Sequence, residues 1–236
     1  MDNENQNDNL SKIYFWIMPW LVPVIVGTIT YFFYPITGRT FIWVPLLSIY
    51  EFTLLIFVFF YHERRGGVFT REKFAPTLIL KGNREWLQYL LVYGPFLYNI
   101  PLFILRYALN PDISLQMYVI LAVASAINGF MEEVYWRACL NVAGEKAGAS
   151  QKLRLLYAPI VFAFWHTAFV IHIYPLGGNW WVFWVIILVQ TWTSGISWFW
   201  VLQKSNRIVP QIIYHCCANF LSVFPLLLVD FLGCYF

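Results

Sequence analysis

Charge is what this sequence has least of. Asp, Glu, Lys and Arg make up 11% of its 236 residues, against about 25% in soluble domains. Apolar residues reach 60%, above the usual ~45–50%, and mean hydropathy is +0.62. A soluble globular enzyme and a disordered chain are both excluded. There is no long basic run, and the net charge of +3 comes from 15 Lys and Arg against 12 Asp and Glu. This argues against a nucleic-acid partner. Cysteine is also scarce, with 4 in the chain. Cys139, Cys216 and Cys217 lie inside apolar stretches and read as small buried hydrophobes, not as a disulfide framework. Cys234 is third from the C-terminus, so the tail is not a C-a-a-X lipidation box. No small-residue cleavage site follows the first apolar segment. Its 24 residues exceed the roughly 7–15 of a secretory signal, and it reads as a retained helix. Internal repeats, low-complexity linkers and an H-E-x-x-H helix are all missing.

What is abundant is aromatic and apolar sequence. Aromatics make up 21%, with 12 Trp, which suits side chains anchored at the headgroup level. Seven stretches are long enough to span: Ile13–Ile36, Phe41–Tyr61, Trp86–Leu105, Leu115–Val142, Leu155–Tyr174, Trp180–Leu202 and Ile208–Phe231. Each reaches the roughly 20 apolar residues a crossing needs, and backbone satisfaction in lipid forces each into helix. The fold class expected is therefore all-α, a polytopic transmembrane helix bundle without strands. The Asn-rich residues 1–12 are expected as a disordered polar tail, and 13–236 as a single transmembrane domain. Pro23, Pro45, Pro95, Pro101, Pro159, Pro210 and Pro225 fall inside the stretches, where they kink helices. An extra half-span near Pro95 and Pro101, or one in the 62–85 loop, would raise the count to eight.

The cations are distributed unevenly. With seven spans, Lys12, Arg64, Arg65, Arg71, Lys73, Lys81, Arg84, Lys146, Lys152, Arg154, Lys204 and Arg207 share one side, and only Arg39 and Arg106 take the other. This 12-to-2 split assigns the N-terminus and the loops at 62–85, 143–154 and 203–207 to the cytoplasm. The His172–Asn179 loop and the C-terminus then lie outside.

Ionisable groups at membrane depth cost about 2.5–3.5 kcal/mol each even on lenient scales. Three clusters pay this cost. In Glu132-Glu133-Val134-Tyr135-Trp136-Arg137, Glu133 precedes Arg137 by four, the favoured pairing order on a helix. Glu133 thus reads as the structural carboxylate. Glu132, about 100° round on the side of Asn128 and Trp136, has no local cation and is free to act as a base or metal ligand. The second cluster sets His166 in Phe162-Ala163-Phe164-Trp165-His166. The third is His215-Cys216-Cys217-Ala218-Asn219, with His215, Asn219 and Gln211 on one face. At about 1.5 Å per residue, Glu132 and His166 lie roughly 18 Å, and His215 roughly 12 Å, from the cytoplasmic helix ends. Converging helices would place all three in one buried polar cavity. A lone histidine here would read as interhelical glue; two Glu, an Arg, two His and an Asn at matched depth read as a site. Glu51 is assigned no chemistry and reads as a helix partner or a pore-facing group.

These clusters resemble the signature of the CPBP family, membrane proteins related to the type II CAAX prenyl endopeptidase. The family shows E-E-x-x-x-R, F-x-x-x-H and H-x-x-x-N or H-x-x-x-D, in that order on separate helices. The match covers about residues 115–222, the expected catalytic core. The resemblance implies an intramembrane endopeptidase that cleaves membrane-associated protein or peptide substrates, with a cavity open toward the cytoplasm or inner leaflet. Glu132, His166, His215 and Asn219 would be catalytic, with Glu133 and Arg137 as support. Peptide hydrolysis needs an activated water and a stabilised oxyanion, and Glu132 would activate the water. No cofactor is the favoured reading, since Asn is a poor zinc ligand. The alternative is one Zn2+ held by Glu132, His166 and His215. Competing readings are a non-catalytic scaffold of the same family, for example in bacteriocin self-immunity, and a small transporter, which would be expected to show a repeat.

The charge split makes a topological prediction. A reporter at Gly66 should read cytoplasmic and one after Phe236 external. Both on the same side would refute an odd number of crossings.

Overall fold

The computed structural model describes residues 2–41, 43–80, 82–97, 99–101, 104, 115–173 and 180–223. Among these every regular element is helical. The first apolar stretch divides, because Pro19 has no N–H to continue the ladder. Helix α1 (Asp2–Trp16) ends there and α2 (Met18–Phe41) follows after Ile17. Where the sequence suggested a disordered tail over 1–12, α1 extends to Asp2. Ser11 is buried and its hydroxyl pairs with that of Tyr61 at 3.1 Å. After α3 (Trp43–Arg65), the third stretch opens with a short α4 (Glu85–Tyr93), which stops at Gly94 and Pro95, and the described residues 96–97, 99–101 and 104 are again helical.

Helix α5 (Leu115–Glu132) runs without a break into a π-helical segment, Glu133–Cys139, and then α6 (Leu140–Lys146). All seven π-helical residues are buried. Helices α7 (Gln151–Ile173), α8 (Trp180–Ser205) and α9 (Val209–Ala218) complete the bundle, α9 passing into a second π-helical turn, Asn219–Val223. Among the described residues, three segments are long and apolar enough to cross a membrane: Met18–Ile36, Tyr118–Lys146 and Trp184–Ser205. Large apolar side chains such as Phe32, Phe52, Leu115 and Ile186 face outward, as lipid-facing surfaces require. The loop at 174–179, Arg106, Asp230, Cys234 and the C-terminus lie outside the described residues.

Small residues set the helix spacing. Lipid tails are as apolar as leucine, so membrane helices associate by close packing. A Cβ on Gly129 of α5 would lie 2.6 Å from the Cys216 amide nitrogen of α9. One on Gly195 of α8 would meet Pro159 Cβ of α7 at 3.0 Å, and one on Gly144 would meet Phe15 at 2.7 Å. Cys139, Cys216 and Cys217 are free; Cys139 is buried as expected, whereas Cys216 and Cys217 are only half-buried, the Cys216 thiol donating to the Ala126 carbonyl at 3.4 Å.

The three basic loops meet at one end of the bundle. Lys146 Nζ donates to the Arg65 carbonyl at 2.5 Å, the Ile208 amide donates to the Lys73 carbonyl at 3.0 Å, and Gly82 approaches the Lys204 backbone. Gly66 and Gly67 turn this loop with positive φ, and Lys73 Nζ caps the Gly67 carbonyl at 2.6 Å. Burial at that spot pulls the Lys73 ammonium below the ordinary lysine range.

Two glycines test the packing argument. Gly129→Ala pushes a methyl into backbone and should cost about 1–3 kcal/mol, as overpacking does. Gly27→Ala in α2 meets nothing within 4 Å and should be neutral or stabilising, by up to about 1 kcal/mol. Melting temperatures in detergent check this; equal shifts would refute close approach at Gly129.

Candidate active site

Glu132 and Glu133 sit where α5 becomes π-helical. A π turn bonds i to i+5 and holds more residues than an α turn, so successive side chains diverge by less than 100°. Both carboxylates therefore reach the same partner, His215 of α9. His215 Nδ1 lies 2.8 Å from Glu133 Oε1, and Nε2 lies 3.4 Å from Glu132 Oε2. Glu133 also pairs with Arg137 at 3.4 Å, the contact expected from the sequence. Glu132, which has no cation along its own helix, meets the His215 imidazole of a neighbouring one.

Arg137 is only 2% exposed. Its guanidinium carbon lies 4.0 Å from the Phe162 ring centroid and 5.4 Å from that of Trp198. Aromatic faces thus supply part of the neutralisation that water would give elsewhere. Trp198 also lies 5.2 Å from the His215 ring.

The other oxygen of Glu132 is held by α3 and α5. Trp136 Nε1 donates to the Tyr50 hydroxyl at 3.0 Å. Indole N–H only donates, so Tyr50 directs its proton to Glu132 Oε1 at 2.9 Å. Asn128 Nδ2 donates to the same oxygen at 3.3 Å and to Glu51 Oε1 at 2.6 Å. Asn128 Oδ1 accepts from Asn219 Nδ2 at 2.6 Å. Tyr50, Glu132, Glu133, Asn128, His215 and Asn219 are all buried.

The six residues singled out from the sequence are thus placed unequally. Glu132, Glu133, Arg137 and His215 form one contiguous set, and Asn219 joins it through Asn128. His166 is adjacent through aromatic contacts. Its ring is 4.9 Å from Phe162 and 4.3 Å from Trp165, and Trp165 stacks on Tyr50 at 4.5 Å. His166 Nδ1 faces the Phe162 carbonyl at 2.9 Å, and among the described residues His166 makes no hydrogen bond to Glu132 or His215. Gln211 keeps its place one turn before His215 on α9 and donates to the carbonyl of Trp198, whose ring lies beside that of His215, at 3.3 Å.

Glu132, His166 and His215, the set a zinc ion would use, do not come together as three ligands in this arrangement. Among the described residues no group of three His, Cys, Asp or Glu side chains is placed to hold a metal. Beside the network lies a groove of about 740 Å3, lined mostly by apolar side chains including Phe52, Leu55, Ile127 and Phe130, with Glu51 on its wall.

Tyr50 was missed by the sequence reading. A tyrosine next to a mid-span glutamate is the only signal it gives, and aromatic content this high obscures it.

No curated protein and no solved structure matches the chain. Residues 114–221 do match a family model, Type II CAAX prenyl endopeptidase Rce1-like. That segment contains Glu132, Glu133, Arg137, His166, His215 and Asn219, and over it the chain is similar to the type II CAAX prenyl endopeptidases, consistent with a CPBP/CAAX protease family.

Proposed function

We propose that the chain is an intramembrane endopeptidase that hydrolyses peptide bonds of membrane-associated protein or peptide substrates, with Glu132 as the base that activates water. The observation that carries this reading is one imidazole held between two carboxylates. Glu133, anchored by Arg137, fixes His215 through Nδ1, and Nε2 is left facing Glu132 Oε2. A carboxylate that orients an imidazole through Nδ1 is the logic of the hydrolase triads.

In this mechanism a water beside Glu132 gives its proton to the carboxylate, and its oxygen bonds to the substrate carbonyl carbon. His215 accepts or returns the proton at Nε2. As the C–N bond breaks, the proton passes to the leaving nitrogen, so protons and electrons balance without a co-reactant. One Asn219 N–H is spent on Asn128, and the second is the donor assigned to the oxyanion. His166, with Nδ1 turned to its own helix, orients the water or the carbonyl through its remaining ring nitrogen. The bilayer arrangement proposed with this is seven spans, with the basic loops cytoplasmic.

Two predictions follow from the geometry. Glu132→Gln keeps size and hydrogen bonding, and should give a folded, inactive protein of equal or higher melting temperature, since a buried charge is removed. Glu133→Gln strips Arg137 of its carboxylate and His215 of its orienting partner. It should lose about 3–5 kcal/mol, as broken buried pairs do, and activity with it. Thermal stability and peptide cleavage measured for both variants decide this. A stable but dead Glu133→Gln beside an active Glu132→Gln would reverse the two roles.

The mechanism uses side chains alone. Cleavage should therefore persist after exhaustive dialysis against a strong zinc chelator. Loss of turnover that stoichiometric Zn2+ restores would replace this mechanism with a metal-assisted one.

A further inference from the structure

Glu51 lies on α3, outside the family match at 114–221, and it is buried, with 9% exposure. A helix partner alone would account for its burial, but its bonding is more specific. Its Oε1 accepts from Asn128 Nδ2 at 2.6 Å, while its Oε2 has no hydrogen-bond partner among the described residues.

A primary amide has two faces of nearly equal shape and opposite hydrogen-bonding sense. Asn128 presents its NH2 to two carboxylate oxygens, Glu51 Oε1 and Glu132 Oε1. Flipped, it would press its carbonyl oxygen against both. The carboxylates therefore fix which end of Asn128 faces Asn219, and that end is the acceptor, Oδ1. Asn219 must in turn offer Nδ2, which fixes its own amide as well. Of the two carboxylates, Glu132 is 3.3 Å away and committed to the reaction, while Glu51 is closer.

We propose that Glu51 is a positioning residue. Its carboxylate sets the amide orientation of Asn128, and through Asn128 that of Asn219, so that the second Asn219 N–H points consistently at the reacting carbonyl. This rests on the oxyanion role given to Asn219 above. Glu51→Gln keeps the shape but supplies a partner that can accept or donate. Both amides can then flip together, and a fraction of molecules present the Asn219 carbonyl where a donor is needed.

The test is a double-variant cycle on the full chain in detergent, with Glu51→Gln, Asn219→Ala and the pair, read by cleavage kinetics and by melting temperature. Glu51→Gln should lower kcat about tenfold or more with KM little changed, as misoriented catalytic groups do. It should cost nothing further once Asn219 is alanine, and the melting-temperature shifts should be non-additive. Equal kcat losses with and without Asn219, together with additive shifts, would overturn the proposal. Should Asn219→Ala leave turnover intact while the shifts stay non-additive, the oxyanion reading falls and the relay of amides stands. If Glu51→Gln does not fold, Asn128→Ala replaces it in the same cycle and the same outcomes decide.

Discussion

Glu133 is the group on which the site depends. A carboxylate inside a bundle of this hydrophobicity must be matched by cation and hydrogen bonds or the fold loses several kcal/mol. Glu133 is fully buried and meets both needs at once, with Arg137 one turn along and His215 from α9. The same contact ties α5 to α9 and sets the tautomer of the imidazole that faces Glu132. Stability and the geometry of the proposed chemistry therefore share one residue.

The π-helical segment makes this sharing possible. In a regular α-helix adjacent glutamates point about 100° apart, and one imidazole would reach only one of them. The wider turn at Glu133–Cys139 brings both within 3.4 Å of the ring. Close approach of α5 and α9 at Gly129 and Cys216 holds the two helices at the distance these bonds need. Backbone irregularity and small-residue packing are thus two halves of one device.

The family segment is not self-sufficient. Residues 114–221 supply the residues assigned to chemistry, but Glu132 Oε1 accepts from Tyr50, and Asn128 is held by Glu51, both on α3. Trp165 stacks on Tyr50, so the His166 helix also rests on α3. The N-terminal half is part of the site's support, although its sequence carries only general hydropathy.

Much of this was legible in the chain. The scarcity of charge and the apolar runs determined an all-helical membrane protein, because lipid offers the backbone no other partner. The Glu133–Arg137 pair was legible because both lie on one helix, where sequence spacing is distance. The three polar clusters stood out because each carries an insertion cost that needs a reason. What the sequence did not contain was anything depending on which helix faces which. Helical periodicity gave Glu132 no cation, and the tertiary structure supplied His215. It put Gln211 on the face of His215, and packing against α8 supplied the Trp198 carbonyl that its side chain bonds. It read residues 1–12 by polarity alone, and the Ser11–Tyr61 contact lies within the helix that forms there. Tyr50 and Glu51 became part of the site only through contacts to α5, more than 70 residues away. Spacing along a helix fixes local neighbours, whereas close packing between helices selects the distant ones, and the polar network here is built from the distant ones.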